Sequence, residues 1–234
     1  MASDEDGIEV YQLHILLRGI SPAIWRRVLV RSDTAVDDLH ATFQIAMGWS
    51  DECLHCFRIH GCWFGQNRVG GPTFLGDIRR PLSTFGFRVG ERFTYEHDFI
   101  SAWRHQVRVE KILPLDRERH YPFCAAGRRL APPEDSGGPW RFLERQSHYT
   151  VLDLAVCLRD LLEATPETVD EIRQRMAEIL KWAGRDRYDC KAANRRLQAY
   201  GCGEDIPAEL LGGDDVCADP DHPRGRPGDR PGGR

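Results

Sequence analysis

The sequence predicts an α+β fold: a mixed β-sheet with one covering helix, β-grasp-like in its order. Three observations predict it. Val10 to Leu17 (VYQLHILL) and Ile24 to Val30 (IWRRVLV) alternate around a turn, as a strand hairpin does. Thr34 to Met47 carries apolar residues at helical spacing. Alternation then returns in three further segments, giving the order β-β-α-β-β-β before helical patterns take over at Val151.

The elements follow in order. Arg18-Gly19-Ile20-Ser21-Pro22 is turn material between the first two strands, and Arg26 and Arg27 are placed on opposite faces of the second. Thr34 is a good N-cap, with Asp37 three residues on completing a start signature that suits the helix dipole. Val36, Leu39, Phe43, Ala46 and Met47 form the apolar stripe, with Asp37, His40 and Gln44 on the flank away from it. Gly48 stops the helix and Trp49 covers its end. Cys56 to Phe64 reads as one strand with two unlike faces. Gly65 to Gly90 reads as a long loop holding a short helix near Pro81 to Phe85, followed by strands at Phe93 to Phe99 and Trp103 to Leu113. Tyr121 to Trp140 (YPFCAAGRRLAPPEDSGGPW) reads as an irregular, compact loop. Helices are expected at Val151 to Leu162, Glu167 to Ala183 and Cys190 to Tyr200. The expected organisation is an α+β domain over 8–150, a helical C-terminal extension over 151–211 and a disordered tail over 212–234 rich in Gly, Pro, Asp and Arg.

Composition narrows the function classes. A formal net charge of −4 argues against a protein that coats DNA in bulk, though not against a local basic patch. The acidic start MASDEDG has no apolar h-region, and the apolar runs are too short to cross a bilayer, so a cytoplasmic chain with no membrane partner is expected. On that reading the 8 cysteines are mostly reduced thiols. There is no P-loop, dinucleotide fingerprint or nucleophile elbow.

Three constellations could carry chemistry. Cys53, Cys56, His60 and Cys62 are all zinc-ligand types, and Cys53 and Cys56 have half a zinc-ribbon spacing. Zinc is therefore the cofactor to consider, although four ligands within ten residues crowd a strand. A mixed site of His55, Asp98, His105, Cys124, Glu134 and Asp135 could hold a divalent metal or do acid–base work if the sheet gathers it. Each of these has a structural alternative, such as capping a turn or satisfying backbone N–H groups. Trp182 to Arg196 collects Arg185, Arg187, Tyr188, Lys191, Arg195 and Arg196, a pattern able to hold phosphate and stack on bases, diluted by Asp186 and Asp189.

Four stretches carry a resemblance: YQLHILLRGISPAIWRRVLV, DLHATFQIAMGWSDECLHCFRI, FTYEHDFISAWRHQVRVEKILP and YPFCAAGRRLAPPEDSGG. In that order they resemble the plasmid pRiA4b ORF-3-like family over about the first 140 residues. The resemblance implies a bacterial α+β domain often carried on plasmids and transposable elements, whose biochemical function is not established. Members have been labelled resolvase-like; that chemistry needs a nucleophilic serine among arginines, whereas Ser21 sits in a Ser-Pro turn. The chain departs from the family pattern Tyr-Asp-Phe-Gly-Asp at His97-Asp98-Phe99-Ile100-Ser101, and has Leu130 and Ser136 where many members carry cysteines. An intact scaffold with a depleted polar site points to a non-enzymatic interaction module that binds a protein or nucleic-acid partner through the PPED loop and the basic C-terminal helix. The alternative is a metal-dependent hydrolase or nuclease using His55, Asp98, His105, Glu134 and Asp135.

Overall fold

The structure is a computed structural model that describes residues 7–50, 53–67, 72–183, 185 and 187–203. Along these the chain forms β1 (Glu9–Leu17), β2 (Trp25–Arg31), α1 (Val36–Met47), β3 (His55–Ile59), β4 (Cys62–Gly65), β5 (Arg92–His97), β6 (Trp103–Pro114), β7 (Phe123–Arg128), α2 (Pro139–Ser147), α3 (Val151–Leu162), α4 (Val169–Ala183) and α5 (Cys190–Gly201). The predicted tail over 212–234 lies outside the described residues.

The strands make one seven-stranded sheet in the order β4-β3-β5-β6-β1-β2-β7. The α+β class is as expected, but every pairing between these strands is antiparallel, not mixed. Tight reversals account for β1–β2, β3–β4 and β5–β6, where a short turn returns the chain beside the strand it has just left, and the long-range pairs β1–β6, β2–β7 and β3–β5 are antiparallel as well. The segment expected as one strand from Cys56 to Phe64 is instead a hairpin: His60 (φ 50°) and Gly61 (φ 81°) turn it between β3 and β4. β7 and α2 lie where only loop was expected.

One face of the sheet is apolar and covered. Leu13, Ile15, Val28, Val30, Phe57, Ile59, Phe93, Tyr95, Val107 and Val109 line it and pack on Leu39, Phe43 and Ala46 of α1. The other face is charged and open along β1, β2 and β6. There Glu110 accepts from Arg27 at 2.5 Å, Arg108 at 3.0 Å and Gln12 at 2.9 Å. Arg27 leads the pairing that pulls the Glu110 carboxyl down to about 2.

Two expectations for α1 are corrected. Thr34 does not cap it: the N-cap residue is Ala35, with no side-chain cap bond. The first amides instead find partners in the long loop, Val36 N–H donating to the Arg80 carbonyl and Asp37 N–H to that of Ile78. His40 and Gln44, read as the flank away from the apolar stripe, are buried as well, because both turn toward the sheet and meet the Tyr95 hydroxyl. Gly48, at φ 82°, ends the helix as expected.

Part of the chain beyond 150 joins the core of the sheet, while Cys157 of α3 and Ile179 of α4 are buried outside it. Trp182, Ala193 and Leu197 belong to the cluster that contains the sheet residues. Asn194 of α5 pairs with Cys124 in both directions, accepting from its N–H at 2.7 Å and donating to its carbonyl at 2.9 Å. This satisfies backbone groups on the last strand of the sheet. The Pro132–Gly138 loop is held equally closely. Gly138 has φ 94°, and a Cβ there would sit on the Ser101 carbonyl oxygen, well inside van der Waals contact. Gly138→Ala is expected to cost about 1–3 kcal/mol, read as a lowered urea midpoint with an unchanged slope.

Candidate functional site

The polar residues worth attention lie under the covered face, where α1, β3, β5, β6 and the Pro132–Gly138 loop meet. Alternation along β5 puts Phe93, Tyr95 and His97 on the core side, and along β6 it puts Trp103, His105 and Val107 there. His55 is the cross-strand partner of His97. His40 reaches in from α1, its ring stacked on His55 with centroids 3.3 Å apart. Four buried histidines therefore share one centre.

Hydrogen bonding organises that centre. The Tyr95 hydroxyl accepts from Gln44 Nε2 at 2.6 Å and lies 2.8 Å from His40 Nδ1. The loop is tied down by two indoles, Trp49 Nε1 donating to the Pro132 carbonyl at 2.9 Å and Trp103 Nε1 to that of Glu134 at 3.2 Å. The Glu134 carboxylate is gripped at both ends. Oε1 lies 2.5 Å from His97 Nε2, and Oε2 accepts from the Ser50 N–H at 2.9 Å and hydroxyl at 2.7 Å. Burial works to raise the Glu134 pKa, but these bonds outweigh it and leave it below the ordinary carboxylate range. His105 is the opposite case: burial, helped by His97, pushes it down to about 3, so it is neutral. Among the described residues, neither of its ring nitrogens has a hydrogen-bond partner of good geometry.

The expected sites assemble only in part. Of the mixed set, His55, His105 and Glu134 gather around this centre. Asp98 instead holds the β5–β6 turn, accepting from the Ile100 N–H at 3.0 Å, and Asp135 is exposed. Cys124 is buried against α5, with burial raising its thiol to about 11. Cys53, Cys56, His60 and Cys62 do not come together as one site among the described residues. Cys56 and Cys62 line an apolar hollow of about 800 Å³ with Trp63, Phe74 and Phe99 on the other side of the sheet. Burial and Glu96 hold the Cys56 thiol up at about 12, which keeps it protonated. His60 pairs with Glu91 at the turn. Cys53 instead meets two residues from elsewhere: ligand atoms of Cys53, His97 and Glu134 all lie within 4.8 Å of one another. Sequence reasoning did not pick out His97 as a functional residue, although its place in the Phe93, Tyr95, His97 alternation was legible.

The basic C-terminal set is split. Arg185 is buried and donates to the Ala131 carbonyl at 2.5 Å. Arg196 is buried, and Tyr188 lies over the guanidinium of Arg26, 3.6 Å from ring centroid to carbon. These three are parts of the scaffold, and Arg187, Lys191 and Arg195 remain exposed. A different surface feature lies on α3. Cys157 is buried, with Leu154 and Leu161 half-buried, on the side toward α4. Leu152, Leu158 and Leu162 are exposed by 72%, 51% and 88%, so the apolar character of this helix continues on its uncovered side.

No helix among the described residues is long and apolar enough to cross a membrane. The described cysteines carry thiols and no disulfides. A curated relative, "Uncharacterized protein y4hQ" of Sinorhizobium fredii (strain NBRC 101917 / NGR234), is 32% identical over 190 residues, which is 79% of this chain and 86% of that protein. The fold is similar to the crystal structure of the protein of unknown function MM3350 from Methanosarcina mazei Go1, with a TM-score of 0.57 and 30% identity, covering 79% of this chain and 97% of that one. The family profile described as "Plasmid pRiA4b ORF-3-like protein" matches residues 9–196, from β1 into α5. The chain belongs to the plasmid pRiA4b ORF-3-like protein family.

Proposed function

We propose that the chain is a non-enzymatic interaction module of a bacterial mobile genetic element, and that its partner is a protein docking on α3. The observation that carries this reading is the uncovered leucine stripe at Leu152, Leu158 and Leu162, with Trp140 of α2 also exposed by 72%. Leu158 and Leu162 stand one turn apart, with Leu152 nearer the helix start and further round, and water-facing leucines of this kind are a form in which a helix presents a docking face. The word "plasmid" in the family description supports the link to mobile DNA. The protein arm is favoured over the nucleic-acid arm because half of the expected basic set is committed to internal bonds. The PPED loop is likewise taken up internally, so the docking face moves from that loop to α3. A hydrolase built on His55, Asp98, His105, Glu134 and Asp135 is disfavoured, since Asp98 and Asp135 lie in turns and His105 is sealed in the core.

The test compares the full chain with a Leu152→Glu/Leu162→Glu double variant, used as baits in an extract of the host. A defined protein held by the wild type and bound roughly tenfold or more weakly by the variant, at unchanged Tm, is expected. Retention of DNA or RNA at low salt, abolished by replacing Arg187, Lys191 and Arg195 with alanine, would transfer the role to nucleic acid and refute the protein reading. Equal capture by both baits would also refute it.

A further inference from the structure

The three donors at Cys53, His97 and Glu134 come from three separate segments: the connection between α1 and β3, the end of β5, and the short turn at Glu134–Ser136. That is how protein metal sites are built, because ligands drawn from distant segments can take up tetrahedral directions that neighbours in one strand cannot. Metal–donor distances of about 2.0–2.3 Å place donors roughly 3.3–3.8 Å apart around one ion. A cluster whose ligand atoms all fall within 4.8 Å needs only small side-chain adjustments to reach that spacing. Thiolate, imidazole and carboxylate are also the three ligand types that zinc takes.

We propose that Cys53, His97 and Glu134 together bind a divalent transition-metal ion, zinc by ligand chemistry, which clamps the Pro132–Gly138 loop to β5 and to the exit of α1. Two independent observations favour a ligand there. His97 is wholly buried, and its Nε2 is held 2.5 Å from Glu134 Oε1, two donor atoms of the cluster joined by a proton that a cation can displace. The carboxylate is already aimed, because Ser50 fixes Oε2 through its N–H and its hydroxyl, as outer-shell partners do for ligating carboxylates. The site has an entry side: the Glu134 side chain is 16% exposed and Cys53 is only partly buried. Three protein donors leave one tetrahedral direction for water or for a neighbouring imidazole. Binding takes the proton from the Cys53 thiol and the proton that His97 shares with Glu134. Affinity therefore falls on acidification and protons are released on loading. The inference is independent of the docking face on α3.

The experiment uses the full chain, stripped with chelator and kept reduced, with zinc or cobalt ions as the only added ligand. One ion per chain is expected, with a rise in Tm and, for cobalt, a thiolate-to-metal charge-transfer band in the near ultraviolet. Cys53→Ser should abolish that band and weaken binding roughly 100-fold or more, while Cys62→Ser, at an exposed thiol away from the cluster, should change neither. Glu134→Gln supplies a second variant of nearly identical shape, expected to weaken binding while keeping the band. If Cys53→Ser lowers the metal-free Tm, the wild-type band and the Glu134→Gln affinity decide. A stripped protein indifferent to both metals, a bound ion without a thiolate band, or an affinity untouched by both Cys53→Ser and Glu134→Gln overturns the site.

Discussion

Arg26→Ala is expected to destabilise the protein by about 3–5 kcal/mol, a large share of the stability of an ordinary domain. Arg26 is fully buried on β2, and among the described residues no carboxylate acts on it. Its charge is balanced by dipoles instead. Nε donates to the Ala46 carbonyl at the C-terminal end of α1, where the helix dipole is negative, at 2.9 Å. Nη1 donates to the carbonyls of Trp25 at 2.9 Å and Arg128 at 3.1 Å. The Tyr188 ring covers the guanidinium, and its hydroxyl donates to the same Ala46 carbonyl at 3.0 Å. Tyr188 gets that close because residue 127 is glycine: a Cβ there would lie inside the Tyr188 ring. Burial lowers the Arg26 pKa, yet a guanidinium stays charged. Truncation therefore leaves carbonyls without donors and a cavity beneath the tyrosine. Lysine should rescue little, since it can neither fork between three carbonyls nor stack flat on a ring. Urea denaturation measures the loss. In a cycle with Tyr188→Phe, itself expected to cost about 1 kcal/mol, the two effects should fall short of additive because they share Ala46. A wild-type midpoint for Arg26→Ala would refute this account.

Acid should unfold the protein at unusually mild pH, with His105 as the largest single cause. Its folded pKa of about 3 lies far below the ordinary histidine value near 6.5. Above pH 6.5 the ring is neutral in both states and pH has no effect through it. Between about 6.5 and 3 the unfolded chain takes up a proton that the folded chain refuses, so stability falls as pH falls. At about 1.4 kcal/mol per pH unit, the loss across the window is on the order of 5 kcal/mol. His14, lowered chiefly by burial, works in the same direction. Glu110 adds its share only below its ordinary carboxylate value, lost as pH falls toward about 2. His105→Phe isolates the main contribution. A second aromatic beside Trp49 and Tyr95 should leave stability at pH 7 within about 1.5 kcal/mol and flatten the slope between pH 6.5 and 4.5. Parallel pH profiles for the two proteins would show that His105 is not the titrating group.

Much of the architecture was legible because it rests on local periodicity. The stop at Gly48 and the span from Val151 to Leu162 can be read from spacing alone. What sequence could not supply was decided at long range. Thr34 looks like a cap, but the carbonyls of Ile78 and Arg80 reach the helix start first. His40 and Gln44 fall on the flank away from the stripe on a wheel, but Tyr95 and His55 of the sheet close over them. β7, FCAAGR, has few of the β-branched residues that mark a strand, and it depends on its pairing with β2 and on Asn194. Alternation correctly put Arg26 and Arg27 on opposite faces, without telling which one the core would swallow. The polar centre was half visible: His55, His105 and Glu134 were singled out, whereas His97, which joins Glu134 to Cys53, read as an ordinary strand position.

The cover over Arg26 has a bearing on biosynthesis. The tyrosine that shields this cation lies 142 positions downstream of the carbonyl they share, and Tyr200 reaches back 162 positions to Asp38. A nascent chain whose sheet has already emerged from the ribosome still lacks the ring that seals its charge. Final closure must wait for Tyr188 and α5 to clear the exit tunnel, and premature termination before Tyr188 should yield a product fit only for proteolysis.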